Sequence, residues 1–310
     1  MGTTLLWVAF NLFVLLALAL DLGVFHRKAH KIGLLEAAIW SAVWIGLSLL
    51  FGYFIWHWHG SERGLQFFTG YLIEKALSVD NLFVFLVLFR AFRVPADYQH
   101  RVLEWGILGA LVMRGIMIAA GAALVSRFDW ILEVFGIFLV YTGLHMLWKH
   151  DKTVNYEKNP IFRFANSHLR MTKEYPGGRF FLREDGRLFA TPLLLVLLIV
   201  EITDVTFAVD SIPAIFGITK DPFIVYTSNV FAILGLRSLY FLLADVLRYF
   251  RYLGFGLAAV LVFIGGKMVV EPWLHFSTLL SLGVVGGILG MAVLASLLAG
   301  PVKTQETQSS

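Results

Sequence analysis

Twice in this chain, two carboxylates six residues apart interrupt an apolar stretch long enough to cross a lipid bilayer. The first copy reads Glu74-Lys-Ala-Leu-Ser-Val-Asp80-Asn81; the second reads Asp204-Val-Thr-Phe-Ala-Val-Asp210-Ser211, with Glu201 one turn earlier. A carboxylate at bilayer depth costs roughly 2.5–3.5 kcal/mol on insertion scales. The second stretch, residues 190–217, holds fifteen Leu, Ile, Val and Phe residues. These contribute about −7 kcal/mol, against roughly 9 kcal/mol for its three acids. Alone it is marginal as a span. The acids must be hidden against protein, cations or protons, so they mark a site.

Composition sets the class. The chain is 58% hydrophobic with a mean hydropathy of +0.77, which excludes an ordinary soluble domain. Nine stretches approach the roughly 20 residues that cross a bilayer core as helix. They fall at about 4–24, 36–56, 66–90, 102–125, 130–149, 190–217, 223–247, 252–271 and 278–299. The expected fold is an all-α polytopic membrane protein. No basic residues precede the first stretch, so it reads as a retained helix rather than a secretory leader.

Basic residues orient the spans. Segments after spans 1, 3, 5 and 7 and the C-terminal tail carry eighteen of the twenty-five Lys and Arg, against three (Arg63, Arg127, Lys220) on the other side. The positive-inside bias then puts the N-terminus outside and the C-terminus in the cytoplasm, in the inner (plasma) membrane. Loop bias also accounts for the net charge of +4, leaving no argument for nucleic acid. The absence of cysteine rules out disulfides, thiolate metal sites and thiol redox chemistry within this chain.

The acid motifs belong to a larger internal repeat. Phe138-Leu-Val-Tyr-Thr-Gly143-Leu-His-Met146 aligns with Val260-Leu-Val-Phe-Ile-Gly265-Gly-Lys-Met268, and spans 4 and 7 each carry one mid-span arginine, Arg114 and Arg237. Spans 3–5 thus resemble spans 6–8 as two three-helix units. A displacement by three crossings inverts the second unit, an arrangement that recurs in transporters with polar midplane sites. The chain divides accordingly. Residues 1–64 hold two N-terminal spans, 65–149 the first repeat, and 150–189 a cytoplasmic loop. Residues 190–271 hold the inverted repeat, and 272–310 the last span and tail. Within the loop, Asp185-Gly186 between two mixed apolar-basic runs suggests a β-hairpin. The loop serves as a connector or, alternatively, as a docking element for a protein partner.

Five carboxylates (Glu74, Asp80, Glu201, Asp204, Asp210) face three basic groups (Arg114, Arg237, Lys75) near the midplane. The deficit of two suits one divalent cation or two protons. A purely structural ion-pair network and protonated acids remain the alternatives. Carboxylates with Asn81, Ser211, Thr203, Thr206 and Asn229 form an oxygen-only environment, suited to Mn²⁺, Ca²⁺ or Mg²⁺ rather than thiophilic metals. Arg114 and Arg237 are expected to pair with the motif acids, either permanently or as stand-ins for the cation when the site is empty. Pro213 is expected to break span 6 near Asp210–Gly217, and Lys267 to snorkel from the outer end of span 8.

Gly70-Tyr-Leu-Ile-Glu-Lys-Ala-Leu-Ser-Val-Asp-Asn-Leu-Phe-Val-Phe, the run DVTFAVDSIPA from Asp204 to Ala214, and Ser228-Asn-Val-Phe-Ala-Ile-Leu-Gly-Leu-Arg resemble the TerC family, closest to its Alx-type bacterial members. The resemblance covers nearly the whole chain. It implies an integral membrane protein of a family associated with tellurium resistance, whose Alx-type members are implicated in manganese export and alkaline-pH response. It further implies that Glu74, Asp80, Asn81, Glu201, Asp204, Asp210 and Ser211 occupy ion-site positions. Surplus buried carboxylate would repel tellurite, an oxyanion, so a tellurium link is expected to be indirect.

The resulting expectation is a secondary transporter exporting a divalent cation, Mn²⁺ first, through a midplane carboxylate site. Proton exchange is the expected drive, because no P-loop is present. The metal is cargo, and no resident cofactor is expected. A non-transporting scaffold in a stress or membrane-biogenesis complex is the alternative. An intramembrane metalloenzyme is disfavoured by the absence of HExxH or a similar ligand-plus-base motif, so the chain is not read as an enzyme. Sequence assigns no oligomeric state.

Overall fold

A short polar residue and a proline open both the helix that carries the second motif and the helix that follows it. The computed structural model describes residues 2–23, 33–128, 130–148, 171–172, 174–184, 187–243, 252–274 and 276–300; the side chains of residues 20–23 and 80 also lie outside this description. The loop segment 149–170 and the tail 301–310 are likewise outside it. Among the described residues the helices are α1 (Thr4–Gly23), α2 (Leu34–His59), α3 (Ser61–Ala91), α4 (Ala96–Arg127), α5 (Ile131–Trp148), α6 (Pro192–Phe216), α7 (Pro222–Ile233), α8 (Leu236–Leu243), α9 (Leu253–Val270) and α10 (Thr278–Ala299). Thr191 precedes Pro192 at the start of α6. Asp221 caps α7 by accepting a hydrogen bond from the Phe223 amide at 3.0 Å, with Pro222 in the first turn. Proline there forfeits only an amide that has no helical partner anyway.

Burial is inverted relative to a water-soluble protein. Leu15, Val112, Ile137 and Leu298 point outward, while Glu74, Arg114 and Arg237 are buried. Charges inside and an apolar exterior are what a lipid solvent selects. Six of these helices are long and apolar enough to span a bilayer, and seven if the bent pair α7 and α8 is one span. The described apolar part of α1 is shorter, Thr4–Ala19. Helix α3 has the length, at 31 residues, but its interior carries Glu74, Lys75 and Asp80. The chain is an all-α, multi-pass membrane protein.

The expected break at Pro213 does not form. Helix α6 continues through Pro213 to Phe216. Proline so close to the end disturbs only the final turn. The interruption lies in span 7 instead, where α7 and α8 meet at 41°. Gly235 sits there at φ +80, and any Cβ on it would strike Trp44 of α2, 2.8 Å away. Only glycine combines that backbone angle with that approach. Lys267 also departs from expectation. It is buried, and its Nζ donates to the carbonyl of Gly217, just past α6, at 3.3 Å. A cation at a helix C-terminus answers unpaired carbonyls there.

Helices α5 and α9 make the most extensive interhelical contact among the described residues. They approach through glycine. A Cβ on Gly143 would stand 2.7 Å from the Ala258 carbonyl and from Val262, and one on Gly265 would stand 2.5 Å from the Gly136 carbonyl and 2.8 Å from Val140. Replacing Gly265 by Val is expected to cost about 1–3 kcal/mol through overpacking. A lowered melting temperature in detergent would show it.

Strands β1 (Phe181–Glu184) and β2 (Arg187–Ala190) pair antiparallel, Glu184 opposite Arg187; the expected Asp185-Gly186 turn lies outside the described residues. The segment leading into this hairpin is tied to the helical part of the chain. Tyr175 Oη donates to the Phe92 carbonyl at 2.6 Å, and Arg101 Nη1 to that of Gly178 at 2.9 Å.

Candidate functional site

Arg114, on the buried face of α4, collects acids from two other helices. Its Nε and Nη2 donate to the two oxygens of Asp204 on α6, at 3.0 and 2.8 Å. Its Nη1 donates to Glu74 on α3 and, at 3.1 Å, to Asn229 Oδ1 on α7. Asn229 Nδ2 then donates to the second Glu74 oxygen at 3.1 Å. The planar guanidinium suits this role, with the Asp204 pair as a fork-on-fork contact. Glu74 is 0% exposed, Arg114 1% and Asp204 5%. With both carboxylates ionised, the assembly holds one negative charge in excess.

Glu201 and Asp210 make no hydrogen bond to this bridge among the described residues. Glu201, half-buried one turn before Asp204, lies where Gly109 of α4 leaves room for its carboxylate. Asp210 is half-buried and neighbours Thr142 on α5. On a helix with 3.6 residues per turn, a six-residue spacing separates side chains by about 120°, so Asp210 does not join Asp204 at Arg114. Asp80 lies on α3, its side chain outside the described set. Among the described residues, no group of three or more His, Asp or Glu side chains is placed to hold a metal ion.

Arg237 begins α8, and its Nη1 donates to Glu104 Oε1 at 2.9 Å. Nothing in the sequence singles out Glu104, near the start of α4, and only the fold brings it to Arg237. Lys75 Nζ donates to the Ala232 carbonyl at 3.2 Å, at the end of α7. Thr203 and Thr206 are held locally. Each hydroxyl bonds back to its own helix, at the carbonyls of Ile199 (2.7 Å) and Ile202 (2.9 Å), the usual fate of threonine inside a helix.

Two motif residues are buried with an unanswered oxygen. Asn81 Oδ1 and Ser211 Oγ, each directly after a motif aspartate, have no hydrogen-bond partner among the described residues; nor does Ser78 Oγ, one turn before Asn81. Orphaned polar atoms of this kind are costly and call for water or an ion. A small cavity of about 20 Å³ also touches Asp204, bounded by Gly106, Ile233 and Leu236 at the junction of α7 and α8. That volume holds about one water-sized occupant.

Against known proteins, the model of the integral membrane protein TerC family matches residues 59–304, most of the chain. The chain belongs to the TerC family. Among its relatives, a Myxococcus xanthus protein described as "Uncharacterized membrane protein STKORF319" is 54% identical over 297 residues, 96% of this chain and 93% of the relative. The Escherichia coli K12 protein "Putative membrane-bound redox modulator Alx" is 52% identical over 300 residues, 94% of this chain and 93% of the relative. A Rickettsia bellii membrane protein is 37% identical over 292 residues, 94% of this chain and 97% of the relative. No solved structure matches.

Proposed function

We propose that this TerC protein is a secondary transporter that exports a divalent cation, Mn²⁺ first, by alternating access of two inverted units. The observation that carries the reading is the buried Glu74–Arg114–Asp204 bridge. Glu74 and Asp204 are equivalent positions of the two motifs, and one guanidinium from a third helix draws them together. In this reading Arg114 stands in for the cation in an unloaded state. Asp80 and Asp210 are the central ligands, and Asn81 and Ser211 supply the neutral oxygens that are unanswered here. Glu74, Glu201 and Asp204 act as further ligands or proton carriers.

The reciprocal glycine contacts support the inverted pairing. In the alignment Gly143 matches Gly265, Gly136 matches Ala258, and Val140 matches Val262. Gly143 faces Ala258 and Val262, and Gly265 faces Gly136 and Val140. Each contact is the other with its partners exchanged, as a two-fold relation between α5 and α9 requires. The positive-inside bias favours an N-terminus outside and a C-terminus in the cytoplasm of the inner membrane.

In proteoliposomes, the protein is expected to support Mn²⁺ flux accompanied by proton counterflow. Asp80→Asn with Asp210→Asn should reduce that flux to the level of empty vesicles. Undiminished flux in the double variant would sink the proposal. A redox role, as the name of the Alx relative suggests, would not run through thiols of this chain, which has no cysteine. The hairpin supports a second reading as a docking element, because Phe181 and Leu188 are exposed on one of its faces. Deleting residues 181–190 should abolish capture of a partner if the protein is a scaffold, and leave Mn²⁺ flux standing if it is a transporter.

A further inference from the structure

The last carbonyls of a helix have no amide from a following turn. In α7 this situation falls inside the bundle, because the chain turns at Leu234–Gly235 before α8 begins. The Leu234 amide still reaches the Val230 carbonyl at 2.9 Å. The Ala232 carbonyl is answered from elsewhere, by Lys75 Nζ of α3. Trp44 packs against Gly235 at the bend, and its buried Nε1 has no partner among the described residues; neither does Ser41 Oγ, one turn earlier on α2. The interruption is therefore buried, and the Ala232 carbonyl at its edge is answered by an ammonium from another helix.

Exposed carbonyls at the C-terminal end of a half-helix are the kind of backbone that coordinates small cations at membrane depth. The negative end of the helix dipole adds to that preference. Lys75 provides a cation there by covalent attachment. The two halves differ at this point. In the second motif Val205 stands where Lys75 stands in the first, and α4, the counterpart of the α7–α8 span, runs unbroken from Ala96 to Arg127. The lysine and the broken helix occur together, and the valine and the intact helix occur together.

We infer that the end of α7 is a monovalent-cation position permanently occupied by the Lys75 ammonium, so that the protein needs no free Na⁺ or K⁺ there. The inference concerns occupancy of the break and is independent of metal export. It differs from a purely packing role in one respect: removing the ammonium uncovers a site that a small free cation can fill.

The test is thermal unfolding of the full-length protein in detergent, with Lys75→Ala and Lys75→Arg beside the parent. Each is measured in NaCl, KCl and methylammonium chloride, with N-methylglucamine chloride at equal ionic strength as the reference. Lys75→Ala is expected to melt below the parent in N-methylglucamine. At least one of the three small cations should raise it saturably, by about 2–4 °C near ten times its dissociation constant. The parent and Lys75→Arg should not respond. A Lys75→Ala protein that melts like the parent, or that is lowered equally in all four salts, overturns the inference. So does a parent that shows the same saturable rise. If Lys75→Ala does not accumulate, Lys75→Met, which preserves most of the side-chain volume, is measured in its place against the same outcomes. None of these readings depends on Mn²⁺ flux, so failure here and failure of the transport proposal are separable.

Discussion

Arg114→Met is expected to lower stability by about 3–5 kcal/mol in metal-free buffer, the usual cost of removing one partner from a buried ion pair. Glu74 would keep only the Asn229 amide, and Asp204 would lose both of its hydrogen bonds to the guanidinium. Two buried carboxylates with no counter-charge are the most expensive arrangement that a single substitution here can create. Adding Glu74→Gln and Asp204→Asn to the variant should recover much of the loss, because neutral amides remove the charge that was left unpaired. If Arg114 also stands in for a cation, Mn²⁺ should stabilise the single variant more than the parent, since metal no longer competes with the arginine. Melting curves across a Mn²⁺ titration separate the two roles. A variant that melts low and ignores Mn²⁺, beside a parent that binds it, would leave Arg114 with a structural role alone.

The bridge was legible in sequence to the extent that charge in apolar surroundings is legible. Glu74, Asp204 and Arg114 stood out because each is costly in a span and because the two acids hold equivalent positions. What could not be read was the assignment of partners. Sequence offered Arg114 and Arg237 as matched arginines; Arg114 takes one acid from each motif, and the partners of Arg237 include Glu104, which lies in neither. Pro213 was the conspicuous breaker, but near the end of a packed helix its missing amide is tolerated. Gly235 was inconspicuous among leucines, and its positive φ against Trp44 emerges only once α2 packs there. Lys267 was misread for a similar reason. Its place near the end of an apolar run suggested the surface, whereas close packing of Gly217 on Ile264 and Met268 brings a helix end to it instead.

Gly109→Val is expected to lower Mn²⁺ flux by at least about tenfold, equivalent to about 1.4 kcal/mol, with a smaller effect on melting temperature. A Cβ on Gly109 would coincide with the Glu201 carboxylate. The glycine is therefore the seat in which that acid lies, and filling the seat moves the acid without changing its chemistry. Glu201 is well suited to carry protons in the proposed cycle. It lies one turn from Asp204 and is half-buried, with no hydrogen-bond partner among the described residues to hold it. Displaced from that seat, the carboxylate would lose the position in which the proposed cycle uses it. Removing a methylene should compensate. Gly109→Ala with Glu201→Asp is expected to carry more flux than Gly109→Ala alone, whereas two independent defects would leave it with less. A double variant that is simply the sum of its parts would detach Gly109 from Glu201. It would leave the close approach of α4 to α6 as a packing requirement.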